Sequence, residues 1–361
     1  MRRGLMAWDE NELPRGTLME RIEGLRSIMM RAGLDGFIFY TNLVQPSAVT
    51  YLTGFTPYWS DGLLLVPKSG TASSAPVFAT ALSKRVANWI SSTNPLSEIV
   101  NTPKPGAAVG RRLAADGCRK VGVLELDRLP GGLYDEIVGA APSIELVDGS
   151  AGFATLRRRI DGAERGLIAH ADALAVVALA QVDPDLATDA GAAAGLVEKQ
   201  ARLRGAEEAY IAVAPNLMAD PRMIRVSEPR RLADRFALRA SVAYKGSWVR
   251  RTRTFAKDAA TARAAARADA WFANLVTSIV AGRSIGEQIA ARIHELPGAT
   301  IGSWMAESPI GSYPLQAVAS SHALERDGVP EGGFMVLTIE LAIDGLRWLG
   351  AAPVFVRSSL Y

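Results

Sequence analysis

The stretch that decides the fold is LADRFALRASVAYKGSWVRRTRTF, residues 232 to 255. Apolar and polar residues alternate along both of its halves. This pattern predicts two β-strands, Phe236 to Ala243 and Ser247 to Phe255. The run Tyr244-Lys245-Gly246 between them predicts a tight turn, so we interpret the stretch as a β-hairpin.

The two faces of this hairpin differ in character. One face collects small residues, a tryptophan and two arginines: Ala237, Arg239, Ser241, Ala243, Trp248, Arg250, Thr252 and Thr254. The other face is mostly apolar and predicts core: Phe236, Leu238, Ala240, Val242, Val249 and Phe255, with Arg251 and Arg253. If Tyr244 and Lys245 form a two-residue loop, Arg239 lies directly opposite Arg250. Like charges opposed across strands are destabilising, so this face either binds an anion or is open to water.

The run Thr252-Arg253-Thr254-Phe255 and the Tyr-Lys-Gly turn resemble the metal-binding hairpin of the creatinase/aminopeptidase P/prolidase/methionine aminopeptidase family. The fold of that family is called the pita-bread fold. Its pattern has an aspartate two residues before the Thr-Arg-Thr-Phe run, and a second aspartate eleven residues before the first. This sequence has Arg250 and Arg239 at those two positions. The resemblance therefore implies the fold, with two cations where the family has metal ligands.

The resemblance extends to the other ligand positions of the family. Ala299 and Ala306 align with its histidines, and a competing register near Gly311 supplies no ligand either. The first family glutamate is kept as Glu340, whereas the second becomes Leu349, at the end of an Arg-Trp-Leu run. Arginine is never a metal ligand and adds repulsion. We therefore expect no metal and no other cofactor.

An arginine set stands in place of the metal ligands. A histidine that serves creatinase as a general acid/base aligns at or near Arg222. The predicted substrate-binding arginines are Arg222, Arg239, Arg250 and Arg347. Glu340 is the predicted counter-charge and catalytic acid/base, and guanidinium groups suit carboxylates and phosphates. The alternative is a filled, inactive cavity in which Arg239 and Arg250 pair with Glu340 and Glu307.

Weaker candidates complete the predicted site. His322, in the loop before Glu340, is a second candidate acid/base. Trp248 is a candidate substrate-binding residue, although aromatic residues more often belong to a core. Tyr58 and Trp59 follow a Tyr-Leu-Thr-Gly-Phe motif and resemble the region that reaches into the partner's pocket in dimers of the family. The resemblance thus implies a homodimer.

The chain as a whole predicts an α/β N-terminal domain, residues 1–152, and an α+β pita-bread C-terminal domain, residues 153–361. Strands are predicted in the first domain at Phe37–Tyr40, Leu63–Pro67, Pro76–Thr80, Glu98–Thr102, Lys120–Leu126 and Glu145–Val147. Helices are predicted between several of them, which is typical of an α/β domain. The second domain is predicted to open with two long helices, at about Asp161–Val182 and Ala187–Arg204.

Composition narrows the classes of function. The 361 residues carry a formal charge of +3 without a dense basic run, so nucleic-acid binding is not favoured. Cys118 is the single cysteine, so no disulfide can form within the chain, which favours a reducing, cytoplasmic location. No apolar stretch is long enough to span a bilayer, and we expect a soluble protein that does not act at a membrane.

These features predict a metal-independent enzyme rather than a metallopeptidase. Its substrate is expected to be a small anionic molecule that bears a carboxylate, for example an amino-acid derivative. Carbon–nitrogen hydrolysis, lyase and cyclisation chemistry all suit the residues, and nothing in the sequence selects among them. The alternative is a catalytically inactive, peptidase-like binding or scaffold protein.

Overall fold

The computed structural model describes residues 8–56, 61–68, 75–94, 96–226, 228–322 and 330–357. The chain forms two compact units. One comprises Arg158–Ser308 and the residues from Ala317 onward, and the other comprises the residues up to Arg157 together with Pro309–Gln316. The predicted boundary between residues 152 and 153 falls inside a helix, Ser150–Arg157, of the N-terminal unit.

The N-terminal unit is an α/β domain, as predicted. Its strands are β1 (Gly36–Thr41), β2 (Gly62–Pro67), β3 (Val77–Thr80), β4 (Glu98–Asn101), β5 (Lys120–Val123) and β6 (Glu145–Asp148). Its helices are α1 (Arg15–Ala32), α2 (Ser47–Thr53), α3 (Lys84–Thr93), α4 (Pro105–Ala115), α5 (Gly131–Ala140) and α6 (Ser150–Arg157). The sheet order is β4-β3-β2-β1-β5-β6, with β1, β5 and β6 parallel to one another. Helices α2 and α6 were not predicted.

The C-terminal unit contains a seven-stranded sheet and four α-helices among its described residues. The helices are α7 (Gly162–Leu179), α8 (Ala190–Leu203), α9 (Ala259–Ser278) and α10 (Ile285–Arg292). The strands are β7 (Glu208–Ala214), β8 (Arg235–Tyr244), β9 (Ser247–Ala256), β10 (Ala299–Ser308), β11 (Gln316–Ser320), β12 (Phe334–Ile343) and β13 (Leu346–Phe355), in the order β11-β10-β12-β13-β9-β8-β7. Asp161, Asp189 and Asp258 cap α7, α8 and α9 by accepting backbone N–H groups, which fixes where each helix begins.

The hairpin is formed by β8 and β9, but its register differs from the prediction. Lys245 and Gly246 are the two turn residues, with φ of 45° and 76°. Two positive φ angles define a type I′ turn, which favours glycine at its second position. The pairing therefore shifts by two residues, so Arg239 lies opposite Thr252 and Arg250 lies opposite Ser241. A shift of two keeps every side chain on its face, so the predicted division into two faces is correct.

One face of the C-terminal sheet packs against the helices. Residues of β12 and β13 meet α9 and α10 there in a core that includes Trp271, Phe272, Ile339, Leu341 and Trp348. The two arginines on the predicted core face of the hairpin have specific partners. Arg251 donates to both carboxylate oxygens of Asp172 on α7, with a 2.7 Å bond between its Nη2 and Oδ2. The guanidinium of Arg253 lies 4.9 Å from the centroid of the Phe255 ring.

Asp269 on α9 is an acid within this helix-side region. Its Oδ1 accepts a 2.9 Å hydrogen bond from Nε1 of Trp348. Burial raises the pKa of the Asp269 carboxyl above its usual range, while the Trp348 hydrogen bond and the charge of Arg253 oppose the rise. A raised pKa means that the folded state holds the proton more tightly than the unfolded state. Its contribution to stability is therefore greatest below about pH 4 and is lost as the pH rises through the folded pKa.

Asp269 is an exposed residue whose charge is screened by solvent, so we expect Asp269→Asn to raise the free energy of unfolding at pH 7 by only about 0.5 kcal/mol, because the amide oxygen still accepts from Trp348 while the charge is removed. The loss of stability between pH 4 and pH 7 should also become smaller. Urea unfolding at both pH values measures this. Asp344→Asn, which removes a half-exposed carboxylate of the same unit, is the matched control. An Asp269→Asn protein that is less stable than wild type at pH 7 contradicts this account.

Candidate functional site

The sheet face away from the helices, here called the inner face, carries the predicted site. The strand registers place one residue from each of six strands in a line across it. This central row is Ala212, Arg239, Thr252, Ala351, Thr338 and Met305. Because neighbouring strands lie about 4.8 Å apart, Thr252 and Thr338 stand about 10 Å from each other on either side of the short side chain of Ala351.

The polar groups of the central row lack partners. The hydroxyl oxygens of Thr252 and Thr338 are shielded from solvent and make no hydrogen bond within the described chain. The guanidinium of Arg239 is half-buried, and it too makes no hydrogen bond or ion pair with the residues that the structure describes. Burial lowers the pKa of Arg239 from its usual range, the charge of Arg250 lowers it further, and the charge of Glu307 opposes both effects. Buried polar groups normally have partners, so this row has unused binding capacity.

Arg250 is held by a carboxylate from across the sheet. Its Nη1 donates to Glu307 on β10, and its Nε donates to the Ser241 hydroxyl at 3.3 Å. The side chains of Arg250 and Glu307 are only 19% and 9% exposed. Strands β13 and β12 separate β9 from β10, so this ion pair spans the inner face beside the central row. The alternative prediction of an inactive cavity paired both Arg239 and Arg250 with acids. The ion pair agrees with that prediction for Arg250 only.

Glu340 lies on the other side of the central row. It accepts hydrogen bonds from the Ser303 hydroxyl at 3.3 Å and forms an ion pair with Nε of Arg347 at 3.2 Å. The side chains of Arg347 and Glu340 are 37% and 23% exposed, so water reaches this pair. Glu340 therefore pairs with Arg347 rather than with Arg239.

Leu349, at the position of the second family glutamate, faces an apolar part of the inner face. It is 8% exposed and forms a small buried cluster with Ala214, Leu217 and Ala237, and Met223 packs against this cluster. Leu349 also lies opposite Glu340 in the register. The face therefore offers an apolar surface next to its charged groups.

Trp248 lies on the inner face, two residues before Arg250 on β9. Its ring stacks on that of Tyr210, with centroids 5.5 Å apart and planes 5° apart. The guanidinium of Arg225 lies 4.5 Å from the centroid of the Tyr210 ring. Trp248 thus borders the site, and Tyr210 and Arg225 were not predicted.

Two predicted site residues, Arg222 and His322, do not lie with the charged groups beside the central row. Arg222 has a side chain that is 83% exposed and is bound to Asp220, with 2.7 Å between Nη2 and Oδ2. Its hydrogen bonds lower the pKa of Asp220 to about 2. Arg222 follows Asp220 by only two residues, so its guanidinium binds this neighbouring carboxylate and does not pair with a residue of the sheet. His322 is exposed in the turn after β11. The structure therefore shows Arg222 and His322 as exposed side chains away from the central row, and their assignment to the site stays a prediction, whereas Tyr58 and Trp59 lie outside the described residues.

The two alanines that align with the family histidines do not face the site. Ala306 is fully buried in the helix-side core, and Ala299 packs against that core. Strand β10 has an irregular register between Ile301 and Ser303, and this sets which of its residues face each side. Gly311, the competing position, belongs to the N-terminal unit. In the part of the chain that the structure describes, no group of three or more His, Cys, Asp or Glu side chains could hold a metal ion.

Comparison with known proteins identifies the N-terminal unit. Residues 21–159 match the family model described as the creatinase/prolidase N-terminal domain. A search of curated proteins finds no match. Among the helices that the structure describes, none is long and apolar enough to cross a bilayer.

Solved structures are similar over nearly the whole chain. An Xaa-Pro dipeptidase from Bacillus anthracis is 21% identical with a TM-score of 0.67, and the match covers 94% of this chain and 95% of that one. An X-Pro aminopeptidase from Thermotoga maritima is 14% identical with a TM-score of 0.69, over 92% and 95%. The N-terminal domain of the FACT complex subunit SPT16 from chickpea is 14% identical with a TM-score of 0.63, over 95% and 94%. At these identities the likeness shows the fold, and that fold occurs both in peptidases and in a subunit of a complex.

Proposed function

We propose that this chain, which carries the creatinase/prolidase N-terminal domain and the pita-bread fold, is a metal-independent enzyme acting on a small carboxylate-bearing molecule. Arg239 anchors the carboxylate, and the hydroxyls of Thr252 and Thr338 bind its polar atoms. Glu340 acts as the acid/base. Carbon–nitrogen hydrolysis, lyase and cyclisation reactions are all served by a bound carboxylate beside a glutamate that acts as acid/base.

The single observation that supports this proposal is the central row. It combines a half-buried guanidinium with two shielded hydroxyls, and none of the three has a partner within the described residues. Leaving buried polar groups unsatisfied costs about 1–3 kcal/mol each, and more for a charged group. A ligand that accepts hydrogen bonds from all three removes that cost. A carboxylate suits the guanidinium, because its two oxygens match the two parallel N–H donors of arginine.

The donor set does not fit the divalent metals of hydrolytic sites. Such ions need several carboxylate or imidazole ligands that converge on one point. By strand register, the described carboxylates on the inner face are Glu208, Glu307 and Glu340, and each is already bound to an arginine. Arg239 and Arg250 are the positions that align with the two family aspartates. Two guanidinium groups repel a cation, so no step of the proposed reaction passes through a metal.

A second candidate function is binding without catalysis. The observation that favours it is the ion pair of Glu340 with Arg347, which already occupies the carboxylate proposed as the acid/base. The similarity to a subunit of the FACT complex shows that proteins of this fold are not all named as enzymes. The homodimer that the family resemblance implies also stays a prediction, and light scattering in solution tests it.

Ligand binding is tested by thermal unfolding with acetate, butyrate and N-acetylglycine as probes. A ligand at a hundred times its Kd stabilises the folded state by about 2.7 kcal/mol. For a unit of this size that raises the melting temperature by about 5–10 °C. We expect Arg239→Met to abolish this shift and Arg222→Met, which removes an exposed arginine of the same unit, to keep it. The proposal is wrong if the wild type does not respond, or if Arg222→Met loses the response and Arg239→Met retains it.

Glu340→Gln separates catalysis from binding. The amide keeps a similar shape but cannot transfer a proton, so we expect the probe shift to remain and turnover of a bound substrate to fall by about 10²–10⁴-fold. Product formation is followed by mass spectrometry with amide and N-acyl derivatives of whichever probe binds. Binding without turnover in wild-type protein favours the non-catalytic candidate.

A further inference from the structure

The inner face has an uneven charge balance. Around the central row, Arg239, Arg250 and Arg347 contribute three positive charges, and Glu307 and Glu340 contribute two negative charges; Glu208, at the start of β7, is paired separately with Arg202. Two ion pairs neutralise four of these five groups, and the remaining charge is the guanidinium of Arg239. The guanidinium of Arg239 is therefore available to pair with one negative charge. A ligand supplies it in the function proposed above.

Glu307 decides whether a second cation is available. Arg239 and Arg250 are diagonal neighbours on the hairpin, because Arg239 lies opposite Thr252 and Arg250 precedes Thr252 by two residues on the same face. The charges of Arg250 and Glu307 both act on Arg239, in opposite directions. If Glu307 did not occupy Arg250, two adjacent guanidinium groups would face the ligand. That arrangement suits a dianion.

We propose that Glu307 is the residue that sets the charge of the ligand. By binding Arg250, it leaves one cation for the ligand, and its own carboxylate repels a second negative group. The site therefore selects monocarboxylates against dicarboxylates and phosphate dianions. Specificity of this kind comes from a built-in repulsion as much as from attraction. The inference rests on the proposed function, because it presupposes that Arg239 binds a carboxylate.

Glu340 does not have this role. Its partner Arg347 lies on β13, and Ser303 binds it from β10, on the side of the central row opposite to the Arg250–Glu307 pair. It is also more exposed than Glu307, at 23% against 9%, so water screens its charge more strongly. The two acids can therefore be distinguished by substitution.

The test compares butyrate with succinate, which differ by one carboxylate. Isothermal titration calorimetry gives the Kd of each for wild type, Glu307→Gln and Glu295→Gln. Glu295 lies in the same unit with a side chain that is 42% exposed, and its substitution controls for the loss of one negative charge. We expect wild type and Glu295→Gln to prefer butyrate. In Glu307→Gln the preference for succinate over butyrate should rise about tenfold or more, since a charge-assisted bond to Arg250 becomes available.

Removing Glu307 leaves Arg250 without its carboxylate, so this variant is measured at low temperature after a folding check by circular dichroism. The double variant Arg250→Gln, Glu307→Gln keeps the net charge of the site and gives a second readout. It should prefer butyrate as wild type does. The inference is overturned if Glu307→Gln keeps the wild-type preference, or if the double variant gains succinate affinity. If wild type binds neither probe and Arg239→Met has no effect, the proposed function itself fails.

Discussion

Arg250→Met is expected to lower the free energy of unfolding by about 3 kcal/mol, because it leaves the carboxylate of Glu307 buried without its cation. Glu307 is 9% exposed, so water cannot take the place of the guanidinium. Ser241 also loses a hydrogen bond from Nε of Arg250. For a unit of this size, the melting temperature should fall by about 6–12 °C. Thermal unfolding followed by circular dichroism measures the change.

Arg239→Met is the matched variant on the same hairpin face, and its stability should change in the opposite direction. Arg239 has no hydrogen bond or ion pair with the described residues, and its lowered pKa reflects the cost of holding a charge in this place. Replacing it by an apolar side chain of similar length removes that cost, so we expect about 1 kcal/mol of added stability. A residue that destabilises the free protein and is needed for ligand binding is typical of a functional site.

The double variant Arg250→Met, Glu307→Leu is the control for the destabilisation expected of Arg250→Met. It removes both charges, and replacing a buried ion pair by apolar residues is often close to neutral. Its stability should therefore return to within about 1 kcal/mol of wild type. If the double variant is as unstable as Arg250→Met alone, the loss comes from packing rather than from the unpaired carboxylate. If Arg239→Met is as destabilising as Arg250→Met, Arg239 has a structural partner and the central row is not a ligand site.

Local patterns in the sequence predicted most of the elements. The type and order of β1 to β6 and of α7 and α8 follow from apolar runs and from helical periodicity. Helix α2 was missed because seven residues are too few to show a period. The register of the hairpin was missed because the choice between Tyr244-Lys245 and Lys245-Gly246 depends on which residues take positive φ. Alternation alone does not determine that choice.

The site was predicted in part, for a physical reason. Residues on one hairpin face could be grouped from the sequence, and Arg239, Arg250 and Trp248 do share the inner face. Pairing across non-adjacent strands could not be derived, since it depends on sheet order. This is why Thr338 and the partnership of Arg250 with Glu307 appear only in the structure. Arg222 and His322 were assigned by their distance along the chain from matched motifs, which does not fix where a loop side chain points.

Gly350→Ala is expected to be the most destabilising small substitution in the C-terminal sheet, at about 4 kcal/mol. A methyl group at Gly350 would overlap the six-membered ring of Trp348, two residues earlier on the same face of β13. Trp348 is 1% exposed, packs edge-to-face on Phe272 and donates to Asp269, so it cannot move freely. Overpacking costs about 1–3 kcal/mol, and a broken buried hydrogen bond costs about 1–3 kcal/mol more.

A double-mutant cycle with Trp348→Leu tests whether this overlap is the cause. Trp348→Leu alone should cost about 3 kcal/mol through the cavity that it leaves. In the double variant, the methyl group of residue 350 occupies part of that cavity, so the total loss should be smaller than the sum by at least about 1 kcal/mol. Gly195→Ala is the control, since Gly195 lies in α8 with no atom near its added methyl group, and it should gain about 0.5–1 kcal/mol. Additive losses in the cycle would show that Gly350 is required for another reason.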